Sequence, residues 1–166
     1  MKTKQLVQTA ILGAILYVAQ VVLSFIPNVE FVSLLILLYT ITLPHLSLTA
    51  IFVFVLLEGI QWGFGLWWWS YLYVWPVLYF IVKWLKKWVK QNDVLSWAIV
   101  LGFYGLMFGS LFSIVYIPVS ISYAITYWIS GIPFDIIHGV SNFVLCLILY
   151  KPILNVLLKI KLSIKA

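Results

Sequence analysis

Long apolar runs, broken only by short polar stretches, constrain this chain more than any other feature of its sequence. A hydrocarbon core of ~30 Å needs about 20 apolar residues in a helix that rises about 1.5 Å per residue. Runs that approach or exceed that length lie at 6–26, 48–64, 71–89, 94–117 and 133–150, and a shorter run lies at 31–44. Hydrophobic residues make up 65% of the chain, against about 45–50% in soluble domains. The sequence therefore predicts an all-α integral membrane protein with a single domain over residues 1–166.

The basic residues predict how these helices are oriented. All ten are lysines, in three clusters: Lys2 and Lys4; Lys83, Lys86, Lys87 and Lys90; and Lys151, Lys159, Lys161 and Lys165. With six spans the three clusters fall on one side of the membrane, and the positive-inside rule makes that side the cytoplasm. We therefore expect six transmembrane helices, with both termini cytoplasmic. The net charge of +6 is then explained by topology and attraction to anionic lipid, and it predicts no nucleic-acid partner.

Turn-forming residues separate the predicted spans. The breaks are expected at "IPNVE", "LPHLS", "GFGLWWWS", "KQNDVLS" and "IPVSISYAITYWISGIP", which are rich in Gly, Pro, Asn, Asp and Ser. The last of these predicts a loop over residues 117–133 before the sixth helix.

Polar residues inside two of the apolar runs predict a binding pocket. Glu58, Gln61 and Trp62 are spaced i, i+3, i+4, so that they share one helix face. Asp135, His138 and Asn142 are spaced i, i+3, i+7 and share a face as well. Ionisable groups inside a membrane normally face a bundle interior or a cavity. Both sets fall in the outer half of the predicted topology, so we expect them to converge on one outward-facing site, closed by the segments 28–31 and 65–70 and completed by Asn28 and Glu30.

Each of these residues also has a structural interpretation that the sequence leaves open. Glu58 can be a hydrogen-bond partner between helices, and His138, near Asp135, can belong to a satisfied interhelical pair. Asn28 and Glu30 can be solvated loop residues. The tryptophans of "LWWWS" fit an aromatic belt at the membrane interface as well as they fit a ligand cage.

Small residues mark two helix faces. Gly105 and Gly109 form a Gly-x-x-x-Gly pair, which predicts close packing between helices. Ala10 and Ala14 lie near the cytoplasmic end of the first helix. For these alanines, internal packing and contact with a partner protein are both open.

Taken together, these features resemble the substrate-binding S component of energy-coupling factor (ECF) vitamin transporters. The resemblance covers the full length: six helices in a chain of this size, Ala-x-x-x-Ala in the first helix, and the short loop "IPNVEF". The stretches "IPNVEFVSLLILLYTI", "FVLLEGIQWGFGLWWWSYLYVWP" and "YWISGIPFDIIHGVSNFVLCLILYKP" are similar to those of family members.

The resemblance implies a capture subunit in a bacterial cytoplasmic membrane. A family member of this kind binds a vitamin near the outer surface and docks through helix one, here Ala10 and Ala14, on a membrane coupling subunit driven by two ATPases. The chain has no G-x-x-x-x-G-K-[ST] motif, so ATP hydrolysis is expected in those partners. We expect that the chain is not an enzyme and needs no cofactor or metal.

The residues of the expected pocket also predict a class of substrate. The pocket has carboxylates and no Lys or Arg, which favours a cationic or donor-rich ring system over ligands held by a carboxylate or phosphate. Thiamine, its pyrimidine precursor, a pyridoxine-type vitamer or an aminated deazapurine fits this description better than biotin, pantothenate or folate. Two other functions remain open: a membrane metalloenzyme that uses Asp135, His138 and Glu58, and a small-solute transporter that acts alone.

Overall fold

In the computed structural model, which describes residues 3–165 and side chains as far as Lys161, every regular element is helical. The six α-helices are α1 Thr3–Val22, α2 Val32–Thr42, α3 Pro44–Trp62, α4 Leu66–Leu85, α5 Val94–Ser113 and α6 Ile121–Lys165. A short 3₁₀ turn, Ile114–Tyr116, extends α5. The all-α class and the count of six helices are therefore confirmed.

Among the described residues, four helices are long and apolar enough to cross a membrane: α1, α3, α6 and α5 with its 3₁₀ turn. Helix α4 has a similar length but is not among these four, and its sequence is rich in tryptophan and tyrosine. Helix α2 is apolar and only 11 residues long. These apolar helices indicate a protein associated with a membrane.

Helix α2 is the centre of the bundle. It packs against α1, α3, α4 and α6, and ten of its 11 residues are buried. A helix that is hydrophobic on all sides is stable only when it is surrounded, and here the surrounding groups are protein. The short run at 31–44 is thus largely enclosed by the neighbouring helices.

Helices α5 and α6 form a close antiparallel pair with the most extensive contact in the bundle. A Cβ atom on Gly105 would lie 2.7 Å from the Cα of Gly139, too close for any side chain. The close packing expected from the glycines of α5 is therefore confirmed, and α5 and α6 together form one side of the bundle.

The expected loop over 117–133 is wrong, because α6 begins at Ile121 and continues through Pro133. The aromatic side chains of this segment pack back on the end of α5: Tyr127 stacks on Phe112 at 6.1 Å between ring centroids, and Tyr123 contacts Tyr116. Proline is tolerated in membrane helices where neighbours compensate the lost hydrogen bond. The tertiary contacts therefore override the turn signals.

Other boundaries differ from the predicted ones by a few residues. Only Leu43 separates α2 from α3, because Pro44 occupies the first turn of α3, where its missing N–H is not needed. Helix α4 begins at Leu66, so that the tryptophans of "GFGLWWWS" are helical and only Gly63, Phe64 and Gly65 form the break.

The lysine-bearing segments meet at one end of the bundle. The Tyr150 hydroxyl of α6 donates to the carbonyl of Gln91, and the Trp97 indole donates to the carbonyl of Lys90. A hydrogen bond between the hydroxyls of Thr9 and Thr49 joins the first halves of α1 and α3. Lys2 lies outside the described residues, as does the side chain of Lys165. The loop that carries Asn28 and Glu30 contacts α6 at His138, about 18 Å from Tyr150 along the helix axis. This contact lies at the other end of the bundle.

This arrangement predicts which positions are reached from each side of the membrane. In intact cells, a thiol-specific reagent that cannot cross membranes should modify Ser120→Cys, in the exposed turn before α6, and spare Gln91→Cys until the cells are permeabilised. The native Cys146 is fully buried and provides a low background. Modification of Gln91→Cys in intact cells would contradict the six-span topology.

Candidate functional site

The loop between α1 and α2 carries the first part of the candidate site. Asn28 adopts a left-handed conformation, with φ of 59°, which asparagine tolerates better than most residues. The backbone turn that results places the Asn28 carbonyl 3.0 Å from the Ser141 hydroxyl of α6, which donates to it. The loop is thereby fastened to α6.

A second and buried contact joins the same two elements. Nε2 of His138 lies 3.1 Å from Oε1 of Glu30, and both side chains are almost fully buried. The other Glu30 oxygen accepts a hydrogen bond of 2.8 Å from the backbone N–H of Ser33 in the first turn of α2. Burial alone would raise the pKa of Glu30, but the hydrogen bonds and charge from His138 and the bonds from Ser33 lower it below its ordinary value. Glu30 is therefore a structural carboxylate that caps α2 and positions the loop.

Asp135 is held one turn away on α6. Its Oδ1 accepts a hydrogen bond of 2.9 Å from the backbone N–H of Gly109 on α5, while Oδ2 has no hydrogen-bond partner among the described residues. A side chain on Gly109 would occupy the space of this carboxylate. The glycine therefore admits Asp135 between the two helices and leaves one carboxylate oxygen unused.

Two cavities lie around the loop and meet at Asn28 and Phe108. The larger cavity, about 360 Å³, is lined by Asn28, Phe108, Gly109, Phe112, Tyr127, Ser130, Gly131, Phe134 and Asp135. Its walls are aromatic and its single charged group is a carboxylate. None of the lysines that the structure describes lines it, so its chemistry favours a ligand with a ring and a positive charge.

The smaller cavity, about 210 Å³, lies beneath the loop. It is lined by Gln20, Leu23, Ser24, Ile26, Pro27, Asn28, Val29, Glu30, Tyr71, Trp75, Phe108 and His138. These residues come from α1, α4, α5, α6 and the loop, so this cavity connects the loop to most of the bundle.

Half of the predicted site residues meet in these cavities. Asn28, Glu30, Asp135 and His138 line one cavity or both. The partner of His138 is Glu30, a pairing that the sequence does not predict.

The other four predicted residues lie elsewhere. Asn142 on α6 and Glu58 on α3 are buried, and each has a polar atom without a hydrogen-bond partner among the described residues. Glu58 lines neither cavity. Gln61 is exposed, and Trp62 is 59% exposed. Helix α3 therefore does not bring its polar face into the cavities.

The segment 65–70 does not close the site. It is largely helical and lines neither cavity. Trp68 instead donates its indole N–H to the Val55 carbonyl of α3 at 2.8 Å and packs edge-to-face on Phe64. This tryptophan fastens α4 to α3.

Most of the aromatic lining was not predicted. Gly105, Phe108, Gly109 and Phe112 are spaced i, i+3, i+4, i+7 and share the face of α5 that meets α6. That spacing is the signal in the sequence that could have identified Phe108 and Phe112. Gln20 and Trp75, which line the smaller cavity, carry no such signal.

The two alanines of α1 are exposed, whereas Gly13 between them faces α3, where a Cβ would lie 2.6 Å from the Val53 side chain. Ala14 also lines an apolar surface groove of about 490 Å³ with Ile11, Ile15, Val18, Ala19, Val22 and Phe31. Internal packing is therefore the role of Gly13 and not of the alanines.

Comparisons of this chain with models of protein families, with curated proteins and with solved structures found no match. Within the described residues, no group of three or more His, Cys, Asp and Glu side chains is placed to hold a metal ion. Asp135, His138 and Glu58 therefore do not form the ligand set that a metalloenzyme of the expected kind would need.

The role of Glu30 predicts a large effect on stability. Replacing Glu30 with Ala leaves His138 without its buried partner and α2 without its cap, so we expect a loss of about 3–5 kcal/mol in the free energy of unfolding. Asp93→Ala is a matched control, because Asp93 caps α5 through Ser96 in the same way but is exposed, and its loss should be clearly smaller. Unfolding in detergent, followed by circular dichroism, measures both. Equal losses would contradict the role given to the Glu30 to His138 pair.

Proposed function

We propose that this protein is the substrate-binding subunit of an ECF-type importer, and that it captures a ring-containing, cationic or donor-rich micronutrient. The single observation that carries the proposal is the larger cavity, in which aromatic walls surround one carboxylate. An importer of this kind captures its substrate outside the cell, and the cavities lie at the end of the bundle opposite the lysines.

The size and charge of the site support a small organic cation. Ligand pockets commonly measure about 300–1,000 Å³, and the larger cavity falls within that range. The aromatic faces of Phe108, Phe112 and Tyr127 attract cations, and the free oxygen of Asp135 offers a charged acceptor. A ligand that binds through its own carboxylate or phosphate would find no lysine among the described residues that line the cavities.

The exposed face of α1 supports a partner within the membrane. Ala10 and Ala14 leave a shallow strip between larger exposed side chains such as Leu6 and Ile11, and small residues let a second helix approach closely. The proposed partners are a transmembrane coupling subunit and two ATPases, in the cytoplasmic membrane of a bacterium, where the chain crosses six times.

Binding to the isolated protein tests the substrate class. In calorimetry with thiamine, pyridoxine-type vitamers, biotin and pantothenate, we expect a cationic or amino-bearing ring compound to bind and the carboxylate vitamins not to bind. Asp135→Asn should weaken binding by about 30-fold, the lower range for loss of a buried charged hydrogen bond. Asp93→Asn, at the opposite end, should leave the affinity unchanged. Tight binding of biotin or pantothenate would contradict the proposed class.

Uptake tests the proposed partner surface separately. In cells that express the chain with a coupling subunit and ATPases, Ala14→Trp should abolish uptake of the bound vitamin by excluding the partner helix, while the purified variant keeps its affinity. Ile148→Trp is a matched control, because Ile148 is 63% exposed on α6, and it should transport normally. Normal uptake by Ala14→Trp would contradict docking through α1.

A further inference from the structure

The smaller cavity holds a set of buried polar atoms that the protein leaves unsatisfied. Oε1 of Gln20, Nε1 of Trp75 and Nδ1 of His138 have no hydrogen-bond partner among the described residues, and each is shielded from solvent. All three side chains line the same cavity, from α1, α4 and α6. Buried polar groups are nearly always paired, so three orphans around one cavity indicate that the cavity receives a polar group.

Two of the three atoms have a fixed hydrogen-bonding role. The Trp75 indole N–H can only donate, and the Gln20 Oε1 can only accept. The carboxylate of Glu30 only accepts, so Nε2 of His138 donates to it. The lining of the cavity therefore includes one group that can only donate, one that can only accept, and Nδ1 of His138.

We propose that the smaller cavity is a second subsite of the same binding site, which takes an uncharged group that carries both hydrogen-bond donors and acceptors. An amino group beside a ring nitrogen, as in an aminopyrimidine, has this pattern, and so does a primary carboxamide. The proposal rests on the proposed function, and it extends the site to Gln20 and Trp75.

The dimensions of the cavity agree with a group of this size. A water molecule takes about 30 Å³ of liquid volume, so a cavity of about 210 Å³ has room for a single six-membered ring with its amino substituent. Asn28 and Phe108 line both cavities. One ligand can therefore place a neutral polar ring in the smaller cavity and a cationic group beside Asp135.

Small fragments test this subsite without the rest of the ligand. We expect 4-aminopyrimidine, at a slightly alkaline pH where it is neutral, to bind the purified protein in the millimolar range expected for so few atoms. Pyrimidine, which lacks the amino group, should bind much more weakly. Ligand-observed NMR measures both. Failure of 4-aminopyrimidine to bind, while an organic cation still binds in the larger cavity, would overturn the subsite and leave the proposed function standing.

Two variants locate the fragment, each with a matched control. Gln20→Met and Trp75→Phe remove the unpartnered groups and should weaken 4-aminopyrimidine binding at least about fivefold. Gln61→Met changes an exposed glutamine outside both cavities. Trp97→Phe removes a buried tryptophan whose N–H is paired with Lys90. Both controls should bind the fragment normally, and normal binding by both test variants would overturn the proposal.

The thermal stability of the ligand-free protein separates a binding role from a structural one. Gln20→Met removes an amide whose oxygen has no partner and should keep or raise the melting temperature. Trp75→Phe should lower it less than Trp97→Phe, because the volume lost is the same and only Trp97 also loses a hydrogen bond. A larger fall for Trp75→Phe than for Trp97→Phe would show that the Trp75 N–H already has a partner, and would overturn the proposal.

Discussion

The buried contact between Glu30 and His138 determines the shape of the candidate site. It joins the loop after α1 to the middle of α6, and the same carboxylate caps the central helix α2. Buried ion pairs add little net stability compared with apolar side chains, but breaking one is strongly destabilising. The main effect of the Glu30 to His138 contact is therefore to hold the loop in position between the helices, with a cavity on either side of Asn28.

Two further constraints build the walls around that loop. The glycines of α5 and α6 allow the two helices to approach until Asp135 can accept a backbone hydrogen bond from Gly109. The short helix α2 is enclosed by other helices, and the loop between α1 and α2 lies at its N-terminal end. The acidic and aromatic cavities thus lie at one end of the bundle and the lysine-bearing segments at the other, a separation of charge that suits capture of a cation from outside the membrane.

The sequence predicted the helices well and the site only in part, for a physical reason. Hydropathy and lysine placement report which segments are apolar and where they end, which is sufficient to place six helices. The depth of a residue along a helix does not show which neighbouring helix its side chain faces. Glu58 and Gln61 share a helix face, but neither lines a cavity, because Glu58 is buried within the bundle and Gln61 is exposed. Phe108, Phe112 and Tyr127 could not be distinguished by composition from aromatic residues that face lipid, and the start of α6 depends on their packing.

Native mass spectrometry of the protein, purified in mild detergent from cells grown in rich medium, tests the central claim most directly. If the acidic and aromatic cavity is a binding site for a micronutrient, a stoichiometric small organic cation with at least one ring should remain bound and be identified on release. A bound carboxylate or phosphate compound, or lipid as the sole bound species, would contradict the account.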